Sequence, residues 1–168
     1  MTDPAIRAAT DEDWPAIFPF WQRIVADGET YAYPDALSSE DAHALWYGGS
    51  ERPDTAVVVL EEDGRIRGTA RMGPNRPGRG AHVGTASFMV DETARGSGVG
   101  RRLGEHVIAW HREQGFAGIQ FNAVVATNTG AVRLWQRLGF EIVGTVPGAF
   151  DSRRHGPVDL HVMYLGLS

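Results

Sequence analysis

Cysteine is absent from the 168-residue chain. Disulfides, a thiol nucleophile and thiolate metal sites are therefore excluded. Lysine is absent too, since all 16 basic residues are arginine, so no G-K-[ST] phosphate loop can form. No apolar run approaches the ~20 residues that cross a bilayer. Met1-Thr2-Asp3-Pro4 does not read as a signal peptide. A cytoplasmic protein without a membrane partner is the resulting expectation. No G-x-S-x-G hydrolase elbow occurs. Excess positive charge is also lacking: the net charge is −5 at pH 7, which argues against nucleic acid as a partner. His106 and His111 stand five apart on one helix, not four. His155, Asp159 and His161 have no further ligand signal around them. No metal is expected.

What is present suits one folded unit. Hydrophobic residues make up 42% and charged residues 22%, a globular rather than disordered balance. The length fits a single domain over residues 1–168. The richest segment is Phe88 to Leu103, F-M-V-D-E-T-A-R-G-S-G-V-G-R-R-L. Ala86 to Val90 reads as a strand. Arg95-Gly96-Ser97-Gly98-Val99-Gly100 then opens a helix. Three alternate glycines let a ligand approach the backbone. Free N–H groups at a helix start, flanked by Arg95 and Arg101, suit a phosphate. Arg101 stands where a dinucleotide fingerprint needs its third glycine, so a Rossmann site is disfavoured.

Periodicity and punctuation predict the remaining elements. Ile6 to Ala9 is a short strand. Thr10 to Asp13 caps a helix running to about Asp27, with a break or kink expected at Pro19. Gly28 to Leu37 is a loop. Ser38 starts a second helix ending near Gly48. Thr55 to Leu60 and Arg65 to Met72 form a hairpin around Glu62-Asp63-Gly64. His82 to Val90 is a strand, Gly98 to Gln114 a helix, Ile119 to Val125 a strand and Asn128 to Leu138 a helix. Glu141 to Val146 and Val158 to Leu165 end the chain as strands.

A second block, N-x-x-A-x-x-L-W-x-x-x-G-F, spans Asn128 to Phe140. Asn128 can cap its helix, while Ala131, Leu134, Trp135 and Leu138 share one face. The spacing R-x-x-G-x-G at Arg95–Gly100, followed by this block, resembles the GNAT N-acetyltransferase superfamily. The loop Gly28-Glu29-Thr30-Tyr31-Ala32-Tyr33-Pro34 narrows the resemblance to its phosphinothricin and amino-acid acetyltransferase-like branch. The resemblance implies an α/β (α+β) GNAT fold. Its central sheet is mixed and mostly antiparallel, with about seven strands and helices on both faces. The element order is β-α-α-β-β-β-α-β-α-β-β.

The resemblance further implies acetyl-CoA as cosubstrate, and direct transfer to the primary amine of a small amino-acid-like acceptor. Phe88, Met89 and Val90 would receive the pantetheine arm, with the Met89 N–H as oxyanion donor. Arg95, Gly96, Ser97, Gly98, Val99, Gly100 and Arg101 would hold the pyrophosphate, and Asn128 would reach the pantetheine. Tyr31 and Tyr33 would line the acceptor pocket. A homodimer is common in this branch. The chain departs from the family at both proton carriers. Trp135 replaces the usual tyrosine acid, and an indole is a donor only. Thr85 replaces the glutamate of phosphinothricin-type relatives. Glu29, His82 and Asp159 are then the candidate bases, with a tyrosine such as Tyr31 as a candidate donor. Two other readings stay open: an acetyl-CoA-binding sensor or interaction module with degenerate catalysis, and a peptide or protein N-acetyltransferase.

Overall fold

The computed structural model describes residues 2–168. Seven strands form one sheet in the order β1-β2-β3-β4-β5-β7-β6. The chain runs β1 (Ala5–Ala8), α1 (Trp14–Asp27), α2 (Ser39–Tyr47), β2 (Ala56–Glu62), β3 (Arg65–Pro74) and β4 (Val83–Val90). It continues through α3 (Val99–Glu113), β5 (Gly118–Val125), α4 (Thr129–Arg137), β6 (Glu141–Ser152) and β7 (Gly156–Gly166). This is the expected element order. All neighbours pair antiparallel except β4 and β5, which are parallel.

Alternation explains why β2 reads as an unbroken apolar run. Val57 and Val59 pack with Trp14, Ile17, Trp21 and Trp46, on the side of α1 and α2. Val58 and Leu60 pack with Leu103, Val107 and Trp135, on the side of α3 and α4. The β2–β3 turn places Asp63 at φ 49° and Gly64 at φ 71°, the left-handed pair that a two-residue hairpin requires. Arg7 clasps Asp13 through two hydrogen bonds of 2.8 Å and so ties β1 to the start of α1. That guanidinium holds the Asp13 carboxyl down at about 2. Below α2, the Trp46 indole donates to Thr69 Oγ1 at 3.1 Å, and Thr69 donates to the Val58 carbonyl at 2.8 Å.

Two expectations need correction. Helix α1 continues through Pro19 instead of breaking there. The missing N–H forfeits one bond early in the helix, and buried Ile17, Phe20, Trp21 and Val25 hold it to the sheet. Strand β6 does not stop at Val146. Its register against β7 jumps between Val146 and Phe150 and then resumes to Ser152. Pro147 and Gly148 therefore mark a bulge, not an end. Gly148 (φ 60°) donates its N–H to Asp159 Oδ1 at 3.0 Å. The extended hairpin carries Arg153 and Arg154 to the loop after α1.

Helix α3 lies directly on β4. A Cβ on Gly84 would stand 2.2 Å from His111 Cδ2 and 2.3 Å from Nε2. His111 is fully buried and donates from Nδ1 to the Val107 carbonyl at 2.8 Å. Burial pushes its pKa down, so the ring is neutral. Gly118 is equally confined, with Tyr164 Oη 2.3 Å from the corresponding Cβ position. Gly84→Ala should therefore destabilise the fold by about 1–3 kcal/mol, the usual cost of overpacking. Gly130→Ala, in open space within α4, should stabilise it by a few tenths to about 1 kcal/mol. Urea unfolding midpoints of the two variants should move in opposite directions.

Candidate functional site

Strands β4 and β5 pair only at Val83↔Gly118 and Gly84↔Ile119. Beyond these residues they diverge, and a cavity of about 450 Å³ opens between them. Phe88 and Phe121 meet edge to face at 5.9 Å, and Phe88 lies 4.6 Å from Trp135. These rings form the floor of the opening. Tyr31, Tyr33, Thr85, Ser87, Asn122 and Asn128 line it. The cavity is continuous with a second of about 780 Å³ along the Arg95–Arg101 loop, Arg137 and Arg154.

The glycine loop has the geometry that an anion site needs. Asp91 caps the turn after β4 by accepting from Thr93 N at 3.0 Å. Gly96 and Gly98 then take φ values of 79° and 88°, a region that suits glycine. Among the described residues, no protein acceptor meets the N–H groups of Gly96, Gly98, Val99, Gly100 or Arg101. They form a cluster of donors at the positive end of α3. Arg95 lines both cavities, while Arg101 is paired with Glu105 at 2.8 Å. Asn128 accepts from Ala131 N at 3.4 Å, which leaves its amide NH2 for other partners.

Register decides which β4 groups face the opening. Met89 pairs with Thr69 and Phe88 with Ala70. Asp91 N donates to the Arg67 carbonyl on β3. Because partners alternate every two residues, the Met89 N–H also points at β3. The expected Met89 donor is thus corrected: Phe88 and Val90 turn their N–H groups toward the opening. The Phe88 N–H donates to the Tyr31 hydroxyl at 2.9 Å, and that hydroxyl donates back to the Phe88 carbonyl. Tyr31 stacks on Tyr33 at 5.5 Å, and Tyr33 stacks on Trp21 at 5.4 Å. Burial raises both phenols above their ordinary pKa, so both carry their protons at neutral pH.

None of the candidate bases lines the smaller cavity, whereas Glu29 lines the larger one, and Asp159 accepts from Gly148 N. Glu29 accepts from Ser152 Oγ at 2.6 Å and from Arg154 N at 2.9 Å. The Ser152 bond, chiefly, holds its carboxyl below the usual range. It anchors the loop after α1 to the β6–β7 turn, assisted by Arg153–Asp35 and Arg154–Asp27 ion pairs of 2.9 and 3.1 Å. His82 is exposed, just before β4. It lies six residues from Phe88, roughly 20 Å along an extended strand. Its carbonyl is engaged by Ala117 N at the closed end of the β4–β5 pair. No Asp, Glu or His lines the smaller cavity, although Thr85 and Trp135 both do. The sequence reading missed the Ser152–Arg154 anchor and the Asn75–Asn122 pair. The latter joins the loop after β3 to β5 with bonds of 3.2 and 2.6 Å.

The Acetyltransferase (GNAT) family model matches residues 14–140. The chain belongs to this family. A GCN5-related N-acetyltransferase from Kribbella flavida superposes with a TM-score of 0.94 at 53% identity, covering 98% of each chain. The N-acetyltransferase aca1 of Schizosaccharomyces pombe is 33% identical over 114 residues, 67% of this chain. An L-methionine sulfoximine/L-methionine sulfone acetyltransferase of Pseudomonas paraeruginosa is 31% identical over 150 residues, 85% of this chain and 83% of its own length. The chain spans 54% of aca1, and 17% of Protein SPT10 of Saccharomyces cerevisiae, another relative.

The Glu29 anchor predicts an acid-sensitive loop. Its carboxyl is lowered in the folded state, so its contribution is complete above the ordinary carboxylate range. That contribution is lost as pH falls through the lowered value. Glu29→Gln should make residues 28–37 more susceptible to proteolysis at pH 7. It should also abolish most of the extra cleavage that acid causes in the wild type.

Proposed function

We propose that this chain is an acetyl-CoA-dependent N-acetyltransferase acting on the primary amine of a small amino-acid-like acceptor. Residues 1–168 act as one domain in this reading. The observation that carries it is the set of N–H groups at Gly96 and at Gly98 to Arg101 that no acceptor among the described residues meets, ending at the mouth of the β4–β5 opening. A pyrophosphate suits the first feature and an extended pantetheine arm the second. The Pseudomonas relative supports the acceptor class.

Acetyl-CoA supplies a thioester: the amine nitrogen attacks its carbonyl carbon, the C–S bond breaks, and the sulfur leaves as a thiolate. The protein's part is positioning and polarisation. Gly96–Arg101 hold the diphosphate, and the Asn128 amide supports the arm. The Phe88 or Val90 N–H polarises the thioester oxygen. The acceptor enters beside Tyr33, Thr85 and Ser87. Because no carboxylate or imidazole lines this end, the amine proton passes to water. A thiolate, a far weaker base than an alkoxide, leaves without a strong acid.

The same lack of a lining base favours a second reading, an acetyl-CoA-binding sensor without turnover. Exposed Ile142, Val143 and Val146 on the outer strand β6 support a second copy of the chain as partner.

Calorimetric titration with acetyl-CoA, beside thiol release with free amino acids, methionine sulfoximine, phosphinothricin and polyamines, separates these readings. Amine-dependent thiol release is the expected result. Binding without release on any amine supports the sensor, and absence of binding overturns both. Gly98→Glu forces a side chain to φ 88° and sets a carboxylate among the anion donors. It should weaken acetyl-CoA binding about thirtyfold or more, equivalent to ~2 kcal/mol of strain and repulsion.

A further inference from the structure

We propose that the Tyr31 hydroxyl is a catch on the β4 edge, which the incoming acetyl-CoA must replace at the Phe88 peptide group. This inference rests on the acetyl-CoA reading above and adds a positioning residue to it. Phe88 presents its N–H and its carbonyl toward the β4–β5 opening, where a neighbouring strand would ordinarily pair with both. Here one side-chain atom satisfies the two. A phenol has one proton and two lone pairs. It accepts from the Phe88 N–H at 2.9 Å and donates to the Phe88 carbonyl. In its hydrogen bonding Tyr31 stands in for a short piece of extended chain.

That role is built into the fold from two directions. The ring is held by its stack on Tyr33, which is itself stacked on Trp21 of α1. The loop is held by Glu29 on Ser152 and Arg154, and by the Arg153 N–H on the Gly28 carbonyl at 3.1 Å. Bare peptide groups in so apolar a cleft would each cost a desolvation penalty. Tyr31 removes that penalty until a ligand offers the same acceptor and donor. A pantetheine arm, carrying amides and a thioester carbonyl, offers both. An apolar or purely anionic molecule does not. The exchange therefore selects for an amide-bearing arm in addition to the phosphate contacts.

The sign of the effect separates this role from a grip on the ligand. Tyr31→Phe deletes the competitor and leaves Phe88 bare in the free protein, whereas the ligand still satisfies it in the complex. Acetyl-CoA affinity should then rise about five- to tenfold, the scale of one net hydrogen bond. Thermal stability without ligand should fall, and the upward shift produced by saturating acetyl-CoA should exceed that of the wild type. Amide hydrogen exchange gives a local readout: the Phe88 N–H should be protected in the wild type, exposed in Tyr31→Phe, and protected again once acetyl-CoA is added.

Calorimetric titration of wild type and Tyr31→Phe with acetyl-CoA tests the proposal. Tighter binding by the variant supports it. Equal or weaker binding by the variant, with a wild type that binds, overturns it while leaving the acetyl-CoA reading intact. Failure of both to bind removes the acetyl-CoA reading and this inference with it. If Tyr31→Phe does not fold, Glu29→Gln loosens the same catch from the far side of the loop. It should then bind acetyl-CoA about two- to threefold more tightly, and an unchanged affinity overturns the proposal.

Discussion

Two residue pairs join β4 to β5, and the rest of the molecule is arranged around that short parallel contact. It can form because Gly84 and Gly118 carry no side chains, so His111 and Tyr164 cover them directly. Beyond them the strands diverge over a floor of Phe88, Phe121 and Trp135. β5 is also out of step with β7 between Phe121 and Val124. A sheet that is closed at one end and splayed at the other exposes peptide groups in its middle. Such groups need partners, and the cleft exists because the sheet does not supply them.

The loop after α1 answers that need. Its aromatic side chains lie over the opening, and its Glu29 carboxylate is bonded to the β6–β7 turn at the wall of the larger cavity. The two roles depend on one another. Glu29 fixes the backbone that carries Tyr31, so a residue type that suits proton transfer serves here to fix a loop. The cleft is left with phenols, hydroxyls, amides and one arginine. In the proposed reaction its part is orientation and polarisation, with water carrying protons.

Much of this was legible in the sequence. The glycine spacing at Arg95–Gly100 and the Asn128 block placed the cluster of free backbone donors and the cap of α4, because both depend on local backbone rules. Thr85 and Trp135 already announced that the usual acid and base are absent. Misreadings arose where a local signal had two structural meanings. Pro147-Gly148 can end a strand or bulge it, and the sequence does not say which. Pro19 can break a helix or be carried by tertiary packing. Met89 and Phe88 are adjacent and both apolar, yet only register against β3 decides which N–H faces the opening.

The sequence by itself determined the order of elements, the left-handed glycines of the Arg95–Gly100 loop and the residue types at Thr85 and Trp135. These follow from residue type and near-neighbour spacing. Only the tertiary structure decided that Tyr31 occupies the Phe88 peptide group and that Glu29 is spent on an anchor. The partners involved are 57 and 123 residues apart. No periodicity encodes such meetings. They arise when the sheet brings β4 beneath one end of α1 and a bulged hairpin reaches the same loop from the other side.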